Sequence, residues 1–188
     1  MKRKLHHFIL LVATVVLTVC LPSCRSSKKN KSEFYQSQIE QLGSRKHRSD
    51  KNDKHSKGIS GTRKRIVEEA MTWKGTPYCY GRADKGKASD CSGMVMCVYE
   101  KVTGIKLPRN SAKQQEYCRN LKKKDVLIGD LCFFATGKDP DRTSHVGIMV
   151  DDRNFIHASS SKGVVVSDIT QPYWIKTFKG YGRVFMNE

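Results

Sequence analysis

Three residues of this sequence have the chemistry of a thiol nucleophile and its proton acceptor. Cys91 lies in Asp90-Cys91-Ser92-Gly93, where a short polar turn runs into an apolar stretch with helical spacing. A thiol at a helix N-terminus lies beside the positive end of the helix, which favours the nucleophilic thiolate. His145 and His157 follow in two strand-like segments. One imidazole could accept the thiol proton while the other orients it, so the three residues together predict nucleophilic catalysis by Cys91.

Each of these residues also has an ordinary structural explanation. An isolated cysteine is often an inert core residue. His145 could be a strand residue that bonds a carbonyl group, and His157 could be a polar surface residue. Their occurrence together, in this order and in these settings, favours the catalytic interpretation.

The proposed chemistry places a condition on the hairpin that joins the two histidine segments. Side chains alternate between the faces of a strand, so His145 and His157 share a face only if the loop around Asp152 has an odd number of residues, such as three or five. In such a register the two histidines can lie directly opposite each other. A two-residue loop at Asp152-Arg153 would place them on opposite faces.

The elements around these residues predict helices first and strands afterwards. Apolar residues recur at helical spacing over residues 62–73. A second helix is predicted from Cys91, capped by Ser89 or Asp90, to Gly104, and a short third helix follows Asn110. Short strands are then predicted over 130–134, 145–150, 154–158, 163–168 and 181–185. This order indicates an α+β domain, in which an antiparallel β-sheet packs against the helix that carries Cys91.

The net charge of +17 lies mainly outside this predicted domain. Residues 25–65 contain 13 lysines and arginines against four acidic residues, whereas residues 66–188 carry a net charge of only +5. Because the basic stretch has few apolar residues, we expect residues 24–61 to form a disordered tether and residues 62–188 to form the folded domain. The charge could simply keep the tether solvated, or it could attract anionic lipids or wall polymers.

The N-terminus predicts export, so no nucleic-acid partner is expected. Lys2, Arg3 and Lys4 precede an apolar run over residues 8–21 that is shorter than a typical membrane-spanning helix. The run ends in Leu21-Pro22-Ser23-Cys24, which resembles a bacterial lipoprotein signal. That resemblance implies a signal peptide over 1–23 and lipidation of Cys24, with a plain secretory signal or an uncleaved anchor as the alternatives. The expected location is the cell envelope, on the periplasmic face of the outer membrane if the cell has two membranes.

Four cysteines remain after Cys91, the lipidated Cys24 and Cys20 of the signal peptide are assigned. An oxidising envelope would permit two disulfides, but we expect these residues to be reduced and mostly buried. No Cys/His spacing is typical of a zinc site, so no metal is predicted. The four residues are Cys79, Cys97, Cys118 and Cys132.

The stretch from about residue 66 to residue 185 resembles the NlpC family of bacterial cell-wall cysteine peptidases. Six segments appear in the order of the family and carry the resemblance: Gly75-Thr76-Pro77-Tyr78, Asp90-Cys91-Ser92-Gly93, Leu107-Pro108-Arg109, Gly129-Asp130-Leu131, Ser144-His145-Val146-Gly147-Ile148 and Phe155-Ile156-His157-Ala158. The resemblance implies a papain-like fold that cleaves peptidoglycan stem peptides.

The resemblance also implies roles for individual residues. Cys91 would be the nucleophile, His145 the general base and His157 the residue that orients it. Other positions match family residues in or beside the cleft: Tyr78, which could stabilise the oxyanion, Ser92, and Arg109, which could bind a substrate carboxylate or only support the fold. The family often has Trp-Gly-Gly where this chain has Tyr80-Gly81-Arg82, and this departure, with the basic insertion 84–87, concerns substrate preference.

Together with this resemblance, the residues predict a lipid-anchored, monomeric peptidoglycan endopeptidase that needs no cofactor and works through an acyl-enzyme. The scissile bond would join D-Glu or D-Ala to a diamino acid, and the resemblance to short lipoprotein members favours the second. A Cys-His amidase or acyltransferase is the enzymatic alternative. A wall-binding lipoprotein without activity is the other alternative.

Overall fold

The computed structural model describes residues 53–186. The predicted signal peptide, the lipidation at Cys24 and residues 24–52 of the predicted tether lie outside these residues. Four α-helices are described: α1 Asp53–Met71, α2 Cys91–Thr103, α3 Ser111–Tyr117 and α4 Pro172–Thr177. The strands are β1 Ala83–Asp84, β2 Ala88–Ser89, β3 Arg119–Leu121, β4 Leu131–Phe134, β5 His145–Met149, β6 Asn154–Ser159, β7 Gly163–Asp168 and β8 Phe178–Arg183. Within residues 53–186, no helix has the length and hydrophobicity needed to cross a membrane.

Helix α1 begins nine residues before the start predicted from its apolar pattern. Ile66, Val67 and Ala70 anchor its second half in the core. Once this half is fixed, adding a residue at the N-terminal end costs much less than nucleating a helix. Residues 53–61 of the predicted tether are therefore helical.

Helix α2 has both of the ends that the sequence predicts. Asp90 is its N-cap and accepts a hydrogen bond from the Gly93 N–H at 2.7 Å. Gly104 ends the helix in the left-handed conformation, with φ of 73°, which a residue without Cβ adopts at little cost. The apolar stripe between them contains Met94, Val95 and Val98, all fully buried.

Strands β3 to β8 form one six-stranded antiparallel sheet in the order β3-β8-β4-β5-β6-β7. Helix α2 packs on β5 and β6, which confirms the predicted α+β arrangement. Strand β3, the β1–β2 hairpin and helix α4 were not predicted, because each is too short to show a hydrophobic period.

The β5–β6 hairpin has the odd loop that the proposed chemistry requires. Ile148 pairs with Ile156, and the Val150 N–H donates to the Asn154 carbonyl group at 2.9 Å, which leaves a three-residue loop over 151–153. Asp151 stabilises the turn by accepting backbone N–H groups through Oδ1. In this register His157 faces Gly147, so the two histidines share a face but lie on a diagonal instead of directly opposite.

The two faces of the sheet carry different cores. Val146, Ile148 and Ile156 belong to the core that contains α2. The alternate residues of the same strands face a second core, which contains Phe134, Phe155 and Trp174 from α4. By alternation the side chains of His145 and His157 lie on the second face, and His145 is the first residue of β5.

Candidate active site

Cys91 is the first residue of α2 and lies against the start of β5. The backbone N–H groups of Val146, Ser92 and Cys91 itself lie within hydrogen-bond reach of its sulfur. Because Val146 immediately follows His145 in β5, this contact places the thiol beside the backbone next to the first histidine. The cysteine is 8% exposed.

Burial controls the ionisation of this thiol. Desolvation raises the pKa of Cys91 to about 11, the nearby Asp90 carboxylate also raises it, and the three backbone N–H groups lower it. The helix N-terminus was expected to favour the thiolate, but desolvation of the charged form is the larger effect. At neutral pH the resting form of Cys91 is therefore the neutral thiol.

The two histidines bond each other directly. His145 Nε2 lies 2.9 Å from His157 Nδ1, and the rings meet edge-to-face at 81°. Gly147 makes this contact possible because a Cβ at this position would lie 2.5 Å from Phe155 Cδ2 and 3.2 Å from the Cβ of His157. The missing side chain leaves room for the His157 ring to lean towards His145.

An aromatic shell keeps both imidazoles away from water. Trp174 stacks on His145 with 5.6 Å between ring centroids and meets His157 edge-to-face at 4.9 Å. Phe155 stacks on His157 with 4.8 Å between ring centroids. Burial lowers the pKa of His145 to about 4, and burial together with repulsion from His145 in its protonated form lowers the pKa of His157 to about 3. Both rings are therefore neutral at pH 7. Each can accept a proton from a donor group in direct contact with it.

Ser167 is a further member of this group that the sequence interpretation missed. Its Oγ lies 2.9 Å from His157 Nε2, on the side of the ring away from His145. His157 pairs with Val165 on β7 and Phe155 pairs with Ser167, so alternation along β7 puts Ser167 on the histidine face. The same alternation that paired the histidines could have found it, had the register of β7 been known.

A cleft of about 640 Å³ opens in front of Cys91. Tyr78, Tyr80 and Gly81 line it on the segment before α2, and the start of α3 lines it near Asn110. The loop between β4 and β5 contributes the remaining wall, which includes two exposed cations and one carboxylate: Lys138, Arg142 and Asp139. The thiol thus lines an open groove large enough for a peptide.

The NlpC/P60 family model matches residues 75–183, which is more than half of the chain and contains Cys91, His145, His157 and Ser167. The chain belongs to the NlpC/P60 family. A protein of Haemophilus influenzae named probable endopeptidase is 40% identical over 119 residues, or 63% of this chain and 73% of that protein. The Escherichia coli K12 protein named murein DD-endopeptidase MepS/murein LD-carboxypeptidase is 37% identical over 120 residues, or 64% of this chain and 62% of that protein.

Solved structures support the same assignment. A crystal structure of a Staphylococcus aureus Mu50 protein described as similar to lipoprotein, NLP/P60 family, superposes with a TM-score of 0.61 at 33% identity. The match covers 68% of this chain and 42% of that one. The NlpC/P60 domain is therefore the part of the chain on which the comparison rests.

Arg109, a position implied by the NlpC/P60 resemblance, is engaged with the start of α2. Its guanidinium binds both carboxylate oxygens of Asp90, at 2.9 and 2.7 Å, and donates to Ser92 Oγ at 3.0 Å. Burial would raise the pKa of Asp90, but the hydrogen bonds from Arg109, Gly93 and Gly81 outweigh it and lower the pKa. These contacts favour the supporting role for Arg109 over direct binding of a substrate carboxylate.

Tyr78 also lines the cleft that contains Cys91. Burial raises its pKa, and the neighbouring Cys91 adds to the effect. The phenol therefore keeps its proton at neutral pH, and it can act as a hydrogen-bond donor. This is the property that an oxyanion donor requires.

The remaining cysteines of the described residues are all free thiols. Cys118 and Cys132 are buried and Cys97 is half-buried, in line with the expectation, but Cys79 is exposed. Cys79 lies between the cleft-lining Tyr78 and Tyr80, where the chain departs from the usual family motif. Over residues 53–186, no group of three or more His, Cys, Asp or Glu side chains could hold a metal ion.

Proposed function

We propose that this protein is a peptidoglycan endopeptidase that cleaves stem-peptide or crosslink amide bonds through a cysteine acyl-enzyme. The observation that carries the proposal is the contact of Cys91 with the start of β5, where the buried His145–His157 pair begins, in the lining of an open cleft. Membership of the NlpC/P60 family and relatives named as murein or probable endopeptidases support the substrate class.

Catalysis starts from the neutral forms of the thiol and the imidazole. Because His145 Nε2 faces His157, Nδ1 is the ring nitrogen left to receive a proton. As the sulfur attacks the peptide carbonyl carbon, the S–C bond forms and the thiol proton moves to His145 Nδ1. The tetrahedral intermediate collapses, the C–N bond breaks and His145 gives the proton to the leaving amine. A water molecule then gives a proton to His145 and attacks the thioester carbon; the C–S bond breaks, the acid is released and His145 returns the proton to the Cys91 sulfur.

Three hydrogen-bond donors near the Cys91 sulfur are available to the developing oxyanion. The backbone N–H groups of Cys91 and Ser92 point toward the sulfur, and Tyr78 supplies a protonated hydroxyl group near it. Donors that are already fixed before the reaction lower the barrier because they need little reorganisation. We assign these three groups to the oxyanion.

The wall of the cleft suits an anionic peptide. Arg109 is neutralised by Asp90, whereas none of the ion pairs among the described residues involves Lys138 or Arg142. The two cations outnumber the nearby Asp139 and would attract the carboxylates of stem peptides. Of the two bonds predicted from the sequence, we favour D-Ala–diamino acid, because the similar Escherichia coli protein is named a DD-endopeptidase.

Digestion of purified sacculi tests the proposal. The reduced native protein should release new muropeptides, and Cys91→Ala should release none while retaining its circular-dichroism spectrum. Product masses identify the bond, and they separate an endopeptidase from an amidase, which frees whole stem peptides from the sugar. Binding of sacculi by the native protein without any new product would instead support the wall-binding alternative.

A further inference from the structure

We propose that Ser167 is a positioning residue that sets the tautomers of His157 and His145 by accepting a hydrogen bond from His157 Nε2. The inference rests on the proposed function, since it explains how His145 comes to present an unprotonated nitrogen to Cys91. Two contacts of 2.9 Å link the three side chains in series. The first joins His145 Nε2 to His157 Nδ1, and the second joins His157 Nε2 to Ser167 Oγ.

If both histidines are neutral, the hydrogen bonds of this three-residue series can run in only two directions. A neutral imidazole has one N–H donor and one acceptor nitrogen, and burial keeps both rings neutral. In the first direction His145 donates to His157, and His157 donates to Ser167. In the second direction Ser167 donates to His157, and His157 donates to His145.

Only the first direction is compatible with catalysis. It places the proton of His145 on Nε2 and leaves Nδ1 free to take the proton from Cys91. The second direction places the proton on Nδ1, so the ring has no acceptor for the thiol. The first direction also suits the protonated intermediate, because an imidazolium ion must donate from Nε2 as well as Nδ1.

The surroundings of Ser167 let its oxygen act as the acceptor. Its side chain is half-buried on β7, so its own hydroxyl hydrogen can turn to water while a lone pair faces His157. His157, in contrast, is only 2% exposed and lies between Phe155 and Trp174. If its Nε2–H had no acceptor, the buried donor would be costly. The hydroxyl group of Ser167 removes that cost for the productive tautomer.

Substitutions at Ser167 separate the positioning role from a structural one. Ser167→Ala removes the acceptor, and kcat should fall by about threefold to tenfold, as expected for one hydrogen bond of ordinary net strength. Ser167→Thr keeps the hydroxyl group on a strand residue and should retain kcat within about twofold. Ser167→Asp introduces an acceptor that cannot donate, and its charge should move the acid limb of the kcat/KM profile to higher pH. The matched control is Ser159→Ala, whose hydroxyl group contacts Ser161 instead of a histidine.

The tautomers can be read directly by ¹⁵N NMR of the purified protein, without any substrate. We expect both His145 and His157 to carry their proton on Nε2 in the native protein and in Ser167→Thr, and to populate both tautomers in Ser167→Ala. A native His157 protonated on Nδ1 would overturn the proposal, as would an alanine variant with native tautomers and native kcat. If Ser167→Ala does not fold, the native spectrum still tests the assigned tautomers, and the pH profile of Ser167→Asp still tests whether the group at position 167 acts on the histidines.

This design distinguishes two failures. If the native protein releases no muropeptide, the proposed function fails, but the tautomer assignment remains measurable. If the native protein cleaves sacculi and Ser167→Ala matches it in rate, pH profile and spectrum, the positioning role alone is wrong.

Discussion

At the scale of single residues, the buried imidazoles couple the stability of the domain to pH. The pKa of a histidine in an unfolded chain is about 6.5, whereas burial lowers the pKa of His145 to about 4 and that of His157 to about 3. The unfolded state therefore binds more protons between these values, and acid favours unfolding. The contribution is fully present above about pH 6.5 and is lost as the pH falls toward 4 and then 3.

We expect each histidine to remove about 2 kcal/mol from the free energy of unfolding between pH 7 and pH 5. Urea unfolding at both pH values measures this loss. Over the same pH interval, the free energy of unfolding of the double variant His145→Asn/His157→Asn should fall by about 4 kcal/mol less than that of the native protein. The other titrating groups are common to both proteins. An equal loss in the two proteins would show that the imidazoles are already protonated or solvated in the folded state.

Arg109 gives a second prediction at this scale. Asp90 is buried, and Arg109 is its cationic partner, with a side chain that is 41% exposed. Arg109→Ala should lower the free energy of unfolding by about 2 kcal/mol, which is less than a fully buried pair would lose because solvent reaches the guanidinium. Arg109→Lys should recover only part of the loss, since an ammonium ion cannot form both parallel bonds.

Chemical unfolding of the two variants beside Lys106→Ala tests this role. Lys106 belongs to an exposed pair with Glu100, so its removal should change stability by no more than about 0.5 kcal/mol. If Arg109→Ala keeps native stability but raises KM, the residue binds substrate, and the supporting role that we assign to it is wrong.

At the scale of elements, the β5–β6 hairpin aligns the histidines through a glycine. Gly147→Ala would place a Cβ 2.5 Å from Phe155 Cδ2 and 2.9 Å from the Ile156 carbonyl oxygen. The strands must move apart to accept it, so we expect a loss of about 1–3 kcal/mol in stability and a loss of activity of at least tenfold from the disturbed His145–His157 contact. Gly61→Ala is the control, because nothing lies within 4 Å of the new atom in α1 and alanine favours a helix. Native activity in Gly147→Ala would contradict the need for this contact.

This hairpin also illustrates how far the sequence could predict the site. Alternation along β5 and β6 required an odd loop, and the structure has a three-residue loop. The diagonal offset of the histidines depends on which residue pairs with which, and neither strand encodes that register by itself. Trp174 and Ser167 come from α4 and β7, and only the folded sheet brings those elements to the imidazoles. The thiol pKa was likewise unpredictable, because burial depends on the whole core.

The loop between β4 and β5 is the element that gives the cleft its positive wall. Ser144 Oγ accepts the N–H groups of Thr136 and Gly137, both at 2.8 Å, and Lys179 Nζ donates to the Pro140 carbonyl oxygen. These bonds hold the loop while Lys138 and Arg142 face the cleft. The loop can therefore set the affinity for an anionic peptide without taking part in the chemistry.

We expect Lys138→Glu/Arg142→Glu to raise KM for an anionic muropeptide by about fivefold to twentyfold at low salt, with kcat nearly unchanged. The difference from the native protein should shrink as salt is added. Lys162→Glu/Lys176→Glu makes the same change in net charge at exposed positions outside the cleft and should leave KM unchanged. Equal effects of the two double variants would mean that overall charge, and not the loop, attracts the substrate.

At the scale of the whole molecule, the predicted lipid anchor would decide where the cleft can work. We propose that Cys24 is lipidated after removal of residues 1–23, so that the basic stretch before the domain links it to a membrane. Cys24→Ala should release the protein into the soluble fraction, because a lipid chain buried in a bilayer supplies the membrane affinity.

Cys20→Ala is the matched control. It removes the other cysteine of this region, which would leave with the signal peptide, so this variant should stay with the membranes. Mass spectrometry of the N-terminal peptide checks the modification itself. If Cys24→Ala remains in the membrane fraction with an unlipidated N-terminus, the first segment is an uncleaved anchor, and the position of the domain in the envelope is set by that anchor instead of by Cys24.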